Sequence, residues 1–235
     1  SSDLDGEARP SLAARELVKP LQPFTKEVPA RSWWYLGSTL GLLVALLTSA
    51  ALAPWWPLRT AASILAALVT VRGFILFHDY MHNAILRRSR LAKVLMHAFG
   101  MFALTPARSW RASHNFHHAN VGKIKGSHVG SFPLMTTEMW RGSSRAERLR
   151  YRATRHPVAI LTAYVSVFLI TITAVPFFKS PRRHWDSGAA LLMHAALIGL
   201  CWWSGGFLMA LHVVFIPFAL SSALGAYLFF VHHSY

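Results

Sequence analysis

From Trp33 to Pro54 the chain reads WWYLGSTLGLLVALLTSAALAP, without one formal charge. At about 1.5 Å of rise per residue such a stretch can cross a hydrocarbon layer of roughly 30 Å. A helix buried in a water-soluble core would normally keep a polar face, and this run has none. The chain is therefore expected to be an all-α integral membrane protein. The polar segment 1–32 lacks the apolar core and small-residue cleavage site of a secretory signal, so it reads as a cytoplasmic tail ahead of a membrane domain over 33–235.

Further apolar runs complete the pattern. A second span runs back from about Leu58 to Phe77, after the aromatic turn PWWP at Pro54 to Pro57, where Trp suits the membrane interface and Pro ends a helix. Leu91 to Leu104 is short for a crossing and stops at Pro106, which fits an interfacial or re-entrant helix. Pro157 to Phe178 is long enough to span, but the basic loop KSPRRHWD that follows places both of its ends on one side, so a re-entrant or surface-lying piece is expected. Gly188 to Trp203 and Phe207 to Val231, joined by SGG, read as an antiparallel pair, giving about four spans in all.

Charge limits the class of partner. Lys and Arg outnumber Asp and Glu by 24 to 9, a formal +15 that would suit nucleic acid. These cations, however, cluster in Arg87–Arg90, Arg141–Arg155 and Lys179–Arg183, beside apolar runs. That is the distribution of cytoplasmic loops flanking membrane spans, and no nucleic-acid partner is expected. The bacterial inner membrane is the expected location. The single cysteine, Cys201, excludes an internal disulfide and a cysteine-based metal cluster.

Histidine is where the chemistry lies. In HDYMH, His78 and His82 stand four apart, and in HNFHH, His114, His117 and His118 have i, i+3, i+4 spacing, so on helices each group shares a face. All five are expected on the cytoplasmic side. An HxxxH pair arises easily by chance in a chain with 13 histidines, whereas HxxHH is much rarer. Imidazole ligation selects iron, zinc, copper or nickel over magnesium and calcium. Asp79 is expected to orient a ligand histidine. His97, His194 and His212, on apolar runs, read as hydrogen-bonded packing residues; His128, His156 and His184 read as solvated loop residues, and Trp110 and Arg111 as an interfacial anchor.

HDYMH after an apolar span, followed by WRASHNFHHANVG, resembles the first two histidine boxes of the integral-membrane fatty acid desaturase superfamily, and the leader LQPFTKEVPARSWWYL is similar to that of the acyl-lipid Δ12-type members. The resemblance runs from about Pro20 to Tyr235. It implies two non-haem iron ions, O2 as co-substrate, removal of two hydrogens from an acyl-lipid substrate within the bilayer, and an electron donor of ferredoxin or cytochrome b5 type. It makes His78, His82, His114, His117 and His118 iron ligands. FFVHHSY resembles the segment after the last span, which makes His233 the sixth ligand, with His232 in place of the family's usual Gln. The family carries a third box further on, so the chain reads as stopping before it, with an incomplete site and little activity by itself. Related membrane di-iron hydroxylases and carotenoid ketolases share the same boxes. Two other classes are a haem protein pairing His194 with His212, for which a surface HxxHH is poor geometry, and a metal transporter, which would use intramembrane carboxylates that these spans lack.

Overall fold

The computed structural model of the chain describes Pro20, residues 26–120 and residues 134–232. Among the described residues the regular structure is entirely helical. Helix α1, Pro29–Leu52, places Ser32, Leu36, Thr39, Leu43 and Ala50 on one buried stripe, while Trp34, Val44 and Leu52 point outward. The alternation of four- and three-residue steps makes that stripe a helix-packing seam. It meets α2, Trp56–Met81, whose Ala62, Ser63, Ala66, Ala67, Thr70 and Gly73 are small enough to let neighbouring helices come close, Gly73 against Phe99 and Ser63 against His212 among them. Large apolar side chains on the outer surfaces are what a lipid-facing helix presents.

Residues 185–232 form one apolar helical run broken at a single place. Helix α9, Trp185–Ala210, contains Gly205 at φ −150°, ψ 15° and Gly206 at φ 66°, ψ −162°; a π-helical turn, Leu211–Phe215, then leads into α10, Ile216–His232. In an unbroken helix His194 and Phe218 would stand roughly 36 Å apart. Their rings lie 4.8 Å apart, so the chain folds back at the two glycines. The antiparallel pair expected from the SGG junction is therefore present, and with α1 and α2 it gives four spans among the described residues. The conformation of Gly206 is open essentially to glycine alone, and Gly206→Ala should cost about 1–3 kcal/mol. A lowered thermal midpoint in detergent would show it; an unchanged midpoint would mean that the turn relaxes freely.

The far ends of the two hairpins meet. Ser63 Oγ donates to the His212 carbonyl at 2.6 Å, and Thr60 Oγ1 lies 3.1 Å from His212 Nε2. His212 and His194 are thus satisfied packing residues, the latter bonded to the Tyr164 hydroxyl. The remaining described elements start from the opposite end. Helix α3, Arg90–Phe102, is capped by Ser89 and runs inward until Phe102 touches Phe218, with ring centroids 5.0 Å apart. Leu104 takes a left-handed backbone, φ 55°, and the chain turns at Pro106 into α4, Ala107–Asn120. The interfacial or re-entrant helix expected over Leu91–Leu104 corresponds to α3, and α4 follows it after the turn.

A second re-entrant element follows α5, Thr137–Gly142, and α6, Arg145–Thr154, which starts in a Ser144–Glu147 capping box. The Arg155 guanidinium lies over the Phe230 ring, near the histidine-side end of α10. Helix α7, Pro157–Leu161, then leads inward to Tyr164, which meets His194 and Phe218 at mid-span. A π-helical stretch, Tyr164–Ala174, and α8, Val175–Lys179, carry the chain back until Phe177 packs on Gly188, in the first turn of α9. Both ends of the segment 157–179 lie on one side, as its flanking charges implied.

Candidate metal centre

His78 sits in the last turn of α2 and His82 closes that helix, while α4 presents His114 and His118 one turn apart. The four side chains each offer a nitrogen, all within 4.8 Å of one another. His114 is the hub: its Nε2 lies 2.8 Å from Nε2 of His82 and 3.0 Å from Nε2 of His118. A neutral ring nitrogen either donates one proton or offers one lone pair, so three Nε2 atoms aimed at one point cannot all satisfy each other. A cation bound at about 2.0–2.1 Å from each nitrogen resolves the conflict, and the set fits a nitrogen-ligated transition metal.

Neighbouring groups tune these rings. His78 Nδ1 is 3.2 Å from Asp79 Oδ1; with the proton on Nδ1 the ring donates to the carboxylate and turns its Nε2 lone pair outward. Burial, together with the surrounding His78, His118, His82 and His117, pushes His114 down to about 3, and burial with the same kind of crowding lowers His82. His114 is therefore neutral and ready to ligate at pH 7. The linkage has a definite sign: an unfolded chain would protonate this histidine near 6.5, the folded one only near 3, so acidification across that window favours unfolding. The thermal midpoint of metal-free protein should fall as pH drops from 6.5 toward 3, with a smaller slope in His114→Ala.

His117 does not join the four. It is buried, its ring 5.5 Å from that of Phe229 on α10 and 6.3 Å from that of His114, because its position on α4 is rotated away from the line joining 114 and 118. The i, i+3, i+4 box therefore divides between two directions. His233 and His128 lie outside the described residues. His97 bonds back to the Lys93 carbonyl, and His156 caps α7 by accepting from Val158 N–H.

Two residues read as peripheral from sequence are parts of this architecture. Trp110 is only 7% exposed and stacks on His114 at 4.0 Å and 23°, with Phe77 and Phe74 behind it. It is the floor of the cluster rather than an interfacial anchor, because α4 turns that face inward. His184 is not free in solvent: its Nδ1 lies 3.1 Å from Ser109 Oγ on α4. Trp110 stacks on His114 one turn along its own helix, a spacing that the sequence does show, whereas Ser109 and His184 lie 75 positions apart and no local signal marks their contact. Below the floor, a narrow cleft is lined by Thr70, Val71, Phe74, Ala103, Phe168, Ser221, Ser222 and Gly225. Phe74 separates it from Trp110.

The sequence profile of the fatty acid desaturase family matches residues 53–235. A fatty acid desaturase of Bacillus subtilis (strain 168) is 28% identical over 223 residues, covering 93% of this chain and 58% of that protein. A protein of Sorghum bicolor named probable fatty acid desaturase DES1 is 28% identical over 137 residues, covering 58% of this chain and 35% of its own length. The chain thus spans little more than half of the longer match.

Proposed function

Because the chain belongs to the fatty acid desaturase family, we propose that it serves an O2-dependent desaturase that introduces a double bond into the acyl chain of a membrane lipid. The observation that carries this reading is the convergence of His78, His82, His114 and His118 at one end of helices apolar enough to cross a membrane. Metal alone would fit many chemistries. Its place at the end of the apolar helices, together with the family, favours chemistry on the acyl chain of a lipid.

In this proposal His78, His82, His114 and His118, together with His117, which faces away from those four, and His233, would hold two non-haem iron ions, and these would supply oxidising power drawn from O2. The chain's own residues do the rest. Asp79 fixes the tautomer of His78. Trp110 holds the His114 ring in one orientation and separates the polar cluster from the cleft. Electrons come from a donor of ferredoxin or cytochrome b5 type, which would approach on the histidine side.

The test is product analysis. A longer form that also carries the family's third box, supplied with iron, O2, a reduced donor and defined phospholipids, should yield acyl chains lighter by two hydrogens. A gain of one oxygen would instead assign a hydroxylase or ketolase, and unchanged lipids with full iron loading would defeat both.

We further propose that the histidine side is cytoplasmic, in a bacterial inner membrane. The Arg87–Arg90 stretch, the arginines around α6 and the Lys179–Arg183 stretch all adjoin helix ends on that side. Single cysteines at Trp55 and Ser204 should react with an impermeant reagent added outside intact cells, and one at Ala84 should not. Labelling of positions 84 and 204 from the same side would overturn the orientation.

A further inference from the structure

Helix α4 carries half of the histidine cluster, yet it is not the helix that carries the other half. Its first-turn N–H groups have no partners within the helix and need others. Asp186, only 5% exposed at the start of α9, supplies one: its Oδ2 accepts from Arg108 N–H at 2.9 Å, while Oδ1 accepts from Ser187 N–H at 3.1 Å. One residue further along α4, Ser109 Oγ lies 2.8 Å from Ser187 Oγ and 3.1 Å from His184 Nδ1. The Arg108 side chain adds an outer strap, donating to the Arg183 carbonyl at 3.2 Å and covering the Trp185 ring.

We infer that Asp186, Ser109, Ser187 and His184 are positioning residues: they form a polar clasp that fixes the start of α4 on α9 and thereby sets where His114 and His118 stand relative to His78 and His82. The inference rests on the metal-centre reading proposed above. Its physical basis is the leverage of a rigid helix. Ser109 is little more than one turn from His114, so rotation or sliding of α4 at the clasp is transmitted directly to the ligand nitrogens. Four donors within 4.8 Å tolerate very little of it, since productive metal geometry survives displacements of only about 0.5 Å. A carboxylate at this place also complements the positive end of the α4 dipole, which strengthens the bond that a neutral group would make.

The clasp is tested in the whole chain in a Cys201→Ser background. Spin labels at the exposed positions Ala84 and Asn115 report the distance between the α2 end and α4, and Co(II) titration reports the site. Asp186→Ala and Ser109→Ala should each broaden the distance distribution and weaken Co(II) binding by about 10–100-fold. Asp186→Asn, whose amide oxygen can still accept from Arg108 N–H, should recover part of both. Ser63→Ala breaks a buried bond on the far side and should lower stability without moving either readout. Wild-type distances and wild-type affinity in Asp186→Ala and Ser109→Ala would overturn the clasp. If Asp186→Ala does not fold, Ser109→Ala and Asp186→Asn decide the matter. If the unmodified chain binds no Co(II), the metal-centre reading falls, while the distance measurement still judges the clasp by itself.

Discussion

Replacement of His114 by alanine is expected to reduce metal bound by the purified protein to background, a loss of more than about 100-fold in affinity. Its Nε2 is the atom shared by the two shortest contacts of the cluster, and its ring also faces His78, with centroids 4.9 Å apart. Removing it takes away a ligand and the element around which the other three are arranged, and ligands that act as a unit lose far more than their share when one is deleted. The fold should survive, because His114 makes its close contacts with other histidines and with one face of Trp110. His156→Ala, which removes only the cap of α7, should leave metal content unchanged. Equal metal content in the two variants would show that the four nitrogens are not a binding site.

Phe77→Ala is expected to have the largest effect on stability, about 3 kcal/mol, or roughly 10 °C in thermal midpoint. Phe77 is fully buried, its ring 5.4 Å from that of Trp110, 6.1 Å from Phe74 and 6.5 Å from Phe99. In a lipid environment the loss is one of packing more than of hydrophobic transfer, since the unpacked state is also surrounded by hydrocarbon. Gly100 probes the same contact from α3: a Cβ there would stand 2.7 Å from the Phe77 ring and 2.9 Å from the backbone oxygen of Thr105. Gly100→Ala should therefore destabilise in the same direction. Ile75→Ala, on an outward-facing position, is the control. Circular dichroism melts in detergent would decide, and a Phe77→Ala midpoint within a few degrees of wild type would mean that the aromatic layer is loosely packed.

The spans and the histidine pairs were legible because both rest on local rules. A run without charge from Trp33 to Pro54 has few alternatives, and i, i+4 spacing fixes His78 beside His82 and His114 beside His118 whatever the tertiary fold. The junction SGG likewise announced a turn, and the structure adds which glycine carries the strained angle. His117 was harder, since one face of a helix at i+3 and i+4 covers a wide arc and only the position of α10 decides that this ring meets Phe229. His184 and Asp186 were not legible as parts of the site. Ser109 and His184 are separated by 75 positions, and no periodicity in either segment encodes that they meet. The π-helical stretch at Tyr164–Ala174 is of the same kind: its apolar sequence suits an α-helix equally well, and only the packing around it distinguishes them.

The two turns on the side away from the histidines bear on how such a chain enters a bilayer. One consists of the residues around Pro54 and the other of Gly205 and Gly206, and each is fastened where His212 joins α2. With the histidine side cytoplasmic, as proposed above, little hydrophilic backbone among the described residues would have to be carried through hydrocarbon during synthesis. Each helical hairpin can pass from the ribosome into lipid as a unit, its two arms satisfying their own backbone hydrogen bonds, and polar chain that would need translocation is kept to a few residues. A hydrophilic reporter spliced into either turn would impose a translocation step that the native sequence avoids. Such insertions should lower the yield of membrane-integrated protein more than the same reporter placed between α5 and α6.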